Sequence, residues 1–249
     1  MRDSRPRFWS LHHRRLQAGG SRLGLTIPAE NILLRDLEQA LARTAVNTGF
    51  CTVKIIVSAG RSQRGYQRMP AGNTNTLIGV FAAHPLDRSA YDDGVDVFVC
   101  TTPIGIQPAL AGIKSLNRLD QVLARAEWDA AEYFDGLMKD PNGNLICATM
   151  ANVFLVRDNQ ISTPAVDRSG VAGIMRTRII ALLGDNGIDC AEGTIAQDAL
   201  ADADEVFLSN SQYGAVPVRR CADRRWPVGD ATRSVMALLA YNGVPECHL

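Results

Sequence analysis

The chain has 249 residues, 46% hydrophobic and 21% charged, a composition that excludes disorder, collagen and coiled coil as descriptions of the whole chain. Its 26 basic and 26 acidic residues balance, so no overall field favours nucleic acid or an anionic membrane as a partner. We therefore expect a small-molecule substrate. Because no apolar run is long enough to span a membrane, we also expect a cytoplasmic protein.

The first third of the chain predicts two helices followed by two strands. Helical spacing begins near residue 10 and is clearest in residues 30–45. The apolar runs 51–58 and 76–83 are typical of strands joined by a loop rich in Gly, Arg and Asn. The polar, turn-rich stretch that follows predicts a boundary between a small N-terminal domain, residues 1–86, and a larger C-terminal domain, residues 87–249.

The larger part alternates strands and helices. Asn142-Gly143 and the RDNQ sequence at residues 157–160 predict hairpin turns between strands. Residues 115–132 predict an amphipathic helix, and further helices are predicted after Gly173, at 195–203 and at 230–243. The predicted fold class is mixed α/β, or α+β, with antiparallel strands. The six scattered cysteines and four histidines lack metal-ligand spacing, which predicts reduced thiols and no metal site.

The chain has 23 arginines but only three lysines, so each lysine can be weighed as a reactive group. Lys54 alternates with apolar residues in a strand, which predicts a solvated side chain. Lys139 borders a turn and is expected to be exposed. Lys114 ends an apolar stretch just before a helix, where an amine can enter a cleft and lose part of its hydration. The local pattern alone still favours a surface lysine at a helix start.

Two further segments are suited to holding a phosphate. Gly170 and Gly173 precede an apolar helix, whose first N–H groups can bind an anion. The strand before Tyr213 ends in Ser209, Asn210 and Ser211, which are small polar residues. Each segment by itself is equally typical of an ordinary turn or strand end. A reactive lysine combined with two such turns indicates pyridoxal phosphate as a cofactor.

The run LAGIKSLNRLDQVLARAEW, followed by GLMKD, ANVFLV, GVAGIMR, DEVFLSNSQYG and WPVG, resembles the class IV aminotransferase family. These are the fold type IV pyridoxal phosphate proteins, and the resemblance covers nearly the whole chain. It implies a two-domain fold like that of D-amino-acid aminotransferase, pyridoxal 5'-phosphate as cofactor, and a homodimer. It also implies that a strand pair at the start of the family fold is missing from this sequence.

The resemblance implies a role for each matching residue. Lys114 would hold the cofactor covalently and act as the general base. Arg64 and Tyr66 would face a substrate carboxylate. The residues implied at the cofactor phosphate are Arg15, Gly173, Ile174, Met175, Asn210 and Ser211.

Two positions depart from the family pattern. Cys147 stands where the family has a glutamate that contacts the pyridine nitrogen of the cofactor. Because a neutral thiol cannot keep that nitrogen protonated, the cofactor ring would withdraw electrons more weakly. Ala59 stands where an arginine is common, which removes a contact to a dianionic substrate.

The implied activity is release of pyruvate from 4-amino-4-deoxychorismate to give 4-aminobenzoate, a step of folate biosynthesis. The first alternative is an aminotransferase acting on branched-chain or D-amino acids. Such aminotransferases usually carry a tyrosine where this chain has Leu119. The second is a catalytically weakened or non-catalytic relative, which Cys147 and the expected missing strand pair favour.

Overall fold

The structure is a computed structural model that describes residues 1, 5–46, 49–62, 64–65, 67 and 74–248. The chain forms two compact units, Met1–Pro85 and Leu86–Leu249. Both contain helices and strands, and the mixed α/β class predicted from the sequence is confirmed. None of the described helices is both long enough and apolar enough to cross a bilayer.

The first unit contains two helices and a two-stranded antiparallel sheet. Its elements are α1 (Trp9–Leu23), α2 (Glu30–Arg43), β1 (Cys51–Ser58) and β2 (Asn75–Ala82). Leu33 and Leu37 lie one turn apart on α2 and are buried, and this helix packs against β2. Helical spacing in the sequence therefore identified the buried face of α2.

One mixed sheet forms the centre of the second unit. Its strands are β3 (Val95–Val99), β4 (Asp135–Lys139), β5 (Asn144–Ala148), β6 (Asn152–Arg157), β7 (Gln160–Pro164), β8 (Cys190–Gly193), β9 (Ile195–Ala196), β10 (Glu205–Asn210), β11 (Gly214–Cys221) and β12 (Arg224–Arg225). The spatial order is β8-β7-β6-β10-β11-β3-β4-β5-β9, and β12 pairs with β11. Strand β3 runs parallel to both β11 and β4, and β7 runs parallel to β8, whereas the other pairs are antiparallel.

Helices cover this sheet. They are α3 (Ser89–Asp92), α4 (Leu119–Arg125), α5 (Ile174–Asp185), α6 (Ala199–Asp202) and α7 (Asp230–Tyr241), followed by a 3₁₀ turn at Pro245–Cys247. Helices α5 and α7 pack against each other and against β10. Phe154 of β6 and Phe207 of β10 are paired across the ladder, and their rings stack with centroids 4.7 Å apart. The central strands are buried almost throughout, which places the core of this unit between sheet and helices.

Both predicted hairpins are present. Gly143 joins β4 to β5 with a φ of +84°, a conformation that favours glycine. Asp158 and Asn159 join β6 to β7, and both have positive φ, 49° and 60°. Positive φ at both central residues is the signature of a type I′ turn, whose twist matches that of the flanking strands.

The amphipathic helix predicted for residues 115–132 is much shorter, since α4 covers only Leu119–Arg125. The predicted apolar face is exposed, at 61% to 70%, over Leu116, Leu119, Val122 and Leu123. The helix packs instead through Ala124, which belongs to a buried cluster with Trp128. Hydrogen bonds between side chain and backbone compete with helix formation before Leu119, because the Ser115 hydroxyl oxygen accepts from a backbone N–H and Arg118 donates to backbone carbonyls.

Candidate active site

Lys114 lies in an irregular segment between β3 and α4. Gly112 forms a parallel β-bridge with Val171. The Gly112 N–H donates to the Gly170 carbonyl at 3.1 Å, and the Gly112 carbonyl accepts from the Ala172 N–H at 3.0 Å. The bridge fixes the lysine segment beside the glycine turn that precedes α5, although the two are far apart in sequence.

The structure shows the environments of the three lysines. The Lys114 side chain is exposed, which is the environment that the local sequence pattern favoured. Lys139 is half-buried rather than exposed, since it belongs to β4 and its Nζ donates to Gln197 Oε1 at 2.7 Å. Lys54 is exposed on β1, as expected.

The glycine turn, which contains Gly170 and Gly173, leads directly into the start of α5. Gly173 is the residue before the helix, and no described side chain caps that end. The N–H groups of Ile174 and Met175 have no acceptor within the helix, because the first N–H groups of any α-helix point out of its end. A Cβ on Gly173 would lie 2.0 Å from Asn152 Oδ1, so only glycine fits beside Asn152.

Asn152 links the glycine turn to the sheet. Its Nδ2 donates to the Val171 carbonyl at 3.0 Å. Its backbone lies opposite Ser209 in the β6·β10 ladder. Asn152 therefore brings the end of β10 next to the start of α5, so the two segments predicted to hold a phosphate are neighbours in space.

The end of β10 carries the polar residues predicted from the sequence. The Asn210 Oδ1 accepts from the N–H groups of Gln212 and Tyr213 at 3.0 and 2.9 Å, which holds the turn after the strand. Ser211 follows in this turn and is half-buried. The Ser209 hydroxyl is buried and has no hydrogen-bond partner among the residues that the structure describes. A buried hydroxyl without a partner is costly, so Ser209 is able to donate to a group bound beside it.

Cys147 lies on β5 in a buried cluster that also contains Cys100, Trp128 and Met138. Burial raises the pKa of the Cys147 thiol to about 12, and the charge of nearby Asp135 adds to the rise. The thiol is therefore neutral at physiological pH. Asp135 is itself buried, and its carboxylate accepts from Thr149 Oγ1 at 2.6 Å and from three backbone N–H groups.

The remaining predicted residues belong to the first unit. Arg15 lies on α1, where burial lowers the pKa of its guanidinium to about 10, so it stays charged. Arg64 is exposed in the segment between β1 and β2. Tyr66 lies outside the described residues. In the described ranges, no group of three or more His, Cys, Asp or Glu side chains is arranged to hold a metal ion.

Sequence reasoning did not identify two residues that organise the site. The contacts of Asn152 with the glycine turn were not predicted. The available signal was a polar residue directly before an apolar run, because an amide that becomes buried there needs partners. No role was predicted for Arg118.

The sequence matches the family described as amino-transferase class IV over residues 1–221. The chain belongs to this family, whose members depend on pyridoxal phosphate. Aminodeoxychorismate lyase of Vibrio harveyi is 34% identical to it over 239 residues, which are 93% of this chain and 85% of that protein. The branched-chain-amino-acid aminotransferase of Escherichia coli K12 is 32% identical over 158 residues, or 60% of this chain and 50% of that protein.

Solved structures show the same relationship. The 4-amino-4-deoxychorismate lyase from Pseudomonas aeruginosa has a TM-score of 0.86 at 36% identity, covering 98% of this chain and 88% of that chain. Branched-chain amino acid aminotransferase from Escherichia coli has a TM-score of 0.77 at 22% identity, covering 95% and 79%, and shares the fold. An aminotransferase from Brucella abortus, bound to the co-factor PLP, has a TM-score of 0.79 at 20% identity, covering 95% and 84%.

The phosphate group of pyridoxal phosphate fits the second unit. The start of α5 offers N–H groups and the positive end of a helix dipole, and a Cβ at Gly173 would fill the turn. Ser209 provides a buried hydroxyl that lacks a partner among the described residues. Neutral donors at a helix start suit a phosphate dianion, so the residues present fit this part of the cofactor.

Proposed function

We propose that this chain is an aminodeoxychorismate lyase that converts 4-amino-4-deoxychorismate to 4-aminobenzoate and pyruvate. The observation that carries the proposal is the β-bridge between Gly112 and Val171, which sets the Lys114 segment beside the glycine turn of α5. The lysine proposed as the reactive amine and the turn proposed to bind the phosphate are therefore neighbours, in a family that depends on pyridoxal phosphate. The two lyases named above match nearly the whole chain, which supports this reaction.

In the proposed site, Lys114 holds the cofactor, and the N–H groups of Ile174 and Met175 bind its phosphate. Gly173 keeps the turn open, and Asn210 and Ser211 add donors from the end of β10. The family resemblance also implies a role for Arg15 at the phosphate.

When bound, pyridoxal phosphate would withdraw electrons from the substrate carbon that carries the amine. The amine of Lys114 would then take the proton from this ring carbon and deliver a proton to the methylene carbon of the enolpyruvyl group. The bond between the ring and the ether oxygen breaks, the ring becomes aromatic, and the three-carbon fragment leaves as pyruvate. Arg64 and Tyr66 would bind a substrate carboxylate.

Cys147 would face the pyridine nitrogen in place of a carboxylate. A neutral thiol does not stabilise a protonated ring nitrogen, so electron withdrawal by the ring would be weaker than with glutamate. Loss of pyruvate produces an aromatic ring, and this gain compensates part of the defect. A reaction that ends in aromatisation tolerates Cys147 better than a transamination does.

The second candidate is a branched-chain or D-amino-acid aminotransferase, and the identity to the Escherichia coli enzyme favours it. The match to this aminotransferase covers a smaller part of the chain than the match to the lyases does. An aminotransferase consumes a 2-oxo acid and transfers the amino group to it, whereas the lyase releases pyruvate without a second substrate. Pyruvate release in the absence of a 2-oxo acid separates the two activities.

A homodimer belongs to the proposal. Leu116, Leu119, Val122 and Leu123 form an exposed apolar surface, here called the α4 surface, in and just before α4. Exposed apolar patches commonly mark contact sites, and a second copy of the chain would cover this one. Sedimentation of the wild-type protein and of L119E/L123E tests this assignment, because charges there would yield monomers.

We also propose domains at 1–86 and 87–249 and a cytoplasmic location. The six cysteines are free and five of them are buried, which suits a reducing compartment. Limited proteolysis near residue 86 tests the boundary. Neither nucleic acid nor a membrane enters the proposed reaction.

The deciding experiment starts with an absorbance spectrum of the purified protein after addition of pyridoxal phosphate. Borohydride reduction and peptide mapping are expected to place the cofactor on Lys114, and pyruvate release from 4-amino-4-deoxychorismate is then measured. K114A is expected to lose both, while the matched control K54A, which alters an exposed lysine on β1, retains both. Adducts spread over Lys54 and Lys139 would refute the assignment of Lys114.

A further inference from the structure

Lys114 is flanked by residues whose carbonyl groups are bound by a single side chain. The Arg118 Nη2 donates to the Ile113 carbonyl at 2.8 Å, and its Nε donates to the Ser115 carbonyl at 3.2 Å. Nη2 also lies 3.4 Å from Ser115 Oγ. One guanidinium therefore bonds to the residue before Lys114 and to the residue after it.

The Lys114 segment needs such a support. Residues 113–118 belong to no helix or strand, so no regular ladder fixes their backbone. The β-bridge at Gly112 holds the start of the segment, and the Ser115 Oγ accepts from the Asn117 N–H at 3.3 Å. Arg118 bonds to the carbonyls between these two points.

The charge of Arg118 is held in a half-buried position. Burial lowers the pKa of the guanidinium, while the negative charge of Asp120 opposes this effect. Asp120 is in turn fixed, because its Oδ2 accepts from the Gly105 N–H at 2.9 Å. A charged donor with little access to water makes strong, directional bonds to carbonyl oxygens.

We propose that Arg118 is a positioning residue that fixes the backbone on both sides of Lys114 and so sets the direction in which the amine is presented. The inference rests on the proposed role of Lys114 as the reactive lysine. The planar fork of arginine reaches two carbonyls at once, which glutamine cannot do and lysine does only in part. Arg118 itself need not touch cofactor or substrate.

The test compares R118Q and R118K with R125Q. Arg125 is a matched control because it is the last residue of the helix that begins directly after Arg118, donates to the Trp128 carbonyl at 3.0 Å and stacks on the Trp128 ring. Amide hydrogen exchange of residues 113–117 is measured in the cofactor-free proteins. Loss of a charge-assisted bond predicts exchange about ten- to hundredfold faster in R118Q.

Kinetics provide a second measurement. R118Q is expected to lower kcat for pyruvate release while KM stays near the wild-type value, and R118K is expected to retain more of kcat. R125Q is expected to leave kcat and the exchange of residues 113–117 at wild-type values. The proposal is overturned if R118Q behaves like wild type in exchange and kcat, or if R125Q lowers kcat equally.

Hydrogen exchange separates this inference from the proposed function. If the wild-type protein released no pyruvate, the lyase assignment would fail, but exchange in the cofactor-free protein would still decide whether Arg118 fixes the segment. If R118Q did not fold, R118K would provide the same comparison with a smaller expected difference.

Discussion

The two ends of the candidate site handle charge in opposite ways. At the glycine turn, N–H groups at the start of α5 and the Ser209 hydroxyl offer donors for an anion. At Cys147, a thiol lies among buried apolar side chains, and burial holds its pKa near 12. The first end suits a charged group and the second a neutral one, so in the proposed site anchoring the cofactor and tuning its ring would depend on separate residues.

The largest change in the free energy of unfolding is expected when a charged group replaces the thiol of Cys147. In C147E a carboxylate replaces the thiol in the buried cluster, at a cost of about 3 kcal/mol in the free energy of unfolding at pH 8. Burial raises the pKa of the introduced carboxyl in the folded state, so the variant is most stable at low pH and loses stability as pH rises. Urea unfolding at pH 5 and pH 8 measures this, with C147S as the neutral control.

The same variant tests what Cys147 faces. A carboxylate beside the pyridine nitrogen is expected to change the absorbance spectrum of the cofactor-loaded protein and its turnover, whereas C147S is expected to change neither by much. A C147E protein that matched the wild type in both measurements would show that Cys147 does not contact the ring.

Filling the glycine turn tests the other end. A methyl group in G173A would collide with Asn152 Oδ1, displacing Asn152 from the Val171 carbonyl. We expect a loss of about 1–3 kcal/mol in unfolding free energy, together with weaker cofactor binding. G184A, inside α5, is the matched control, because its added methyl meets no described atom within 4 Å apart from its chain neighbours and the backbone of its own helix, and it is expected to be slightly stabilising. Equal effects of the two variants would contradict the proposed steric role.

The ionised carboxylate of Glu127, close to the buried cluster around Cys147, is expected to make a smaller, pH-dependent contribution to the free energy of unfolding. Burial opposes ionisation of Glu127, but hydrogen bonds from Thr102 and Thr101 outweigh it and lower the pKa to about 2. A lowered pKa stabilises the fold above the ordinary value of 4.5, and this stability is lost as pH falls from 4.5 towards 2. E127Q is expected to remove about 1 kcal/mol at pH 7 and to flatten the curve between pH 4.5 and pH 2.

The smallest change in stability is expected for S209A. The hydroxyl has no partner among the described residues, so its removal is expected to change the unfolding free energy by less than about 0.5 kcal/mol. Affinity for pyridoxal phosphate is expected to fall about three- to tenfold if the hydroxyl binds the phosphate. S234A, on exposed α7 surface, is the control, and unchanged affinity in S209A would remove Ser209 from the phosphate site.

Local patterns in the sequence predicted a good part of this molecule. Turn residues identified both hairpins, helical spacing identified α2, and an apolar run after Gly173 identified α5, because these features depend on neighbours in the chain. The predicted start of α4 was wrong because Arg118 bonds to nearby carbonyls instead of continuing a helix. The spacing of apolar residues in the sequence does not reveal such hydrogen bonds.

Long-range contacts are a second part of the molecule that could not be predicted from the sequence. The contact of Asn152 with the glycine turn joins residues from different elements, and so does the bonding of Asp135 to the turn at Thr149. Neither contact leaves a periodic signal. The resemblance to a family singled out Lys114 as the candidate reactive lysine. Only the structure shows which side chains hold the segment around it.

The bridge between Gly112 and Val171 has a consequence for how the chain folds. Strands β4 to β7 all lie between these two residues in sequence, so closing the bridge is a contact of high sequence separation. Such contacts form late, because loop-closure entropy is paid before they add stability. A refolding chain is therefore expected to form the local hairpins β4·β5 and β6·β7 before the lysine segment and the glycine turn meet, so uptake of the cofactor would follow formation of these hairpins.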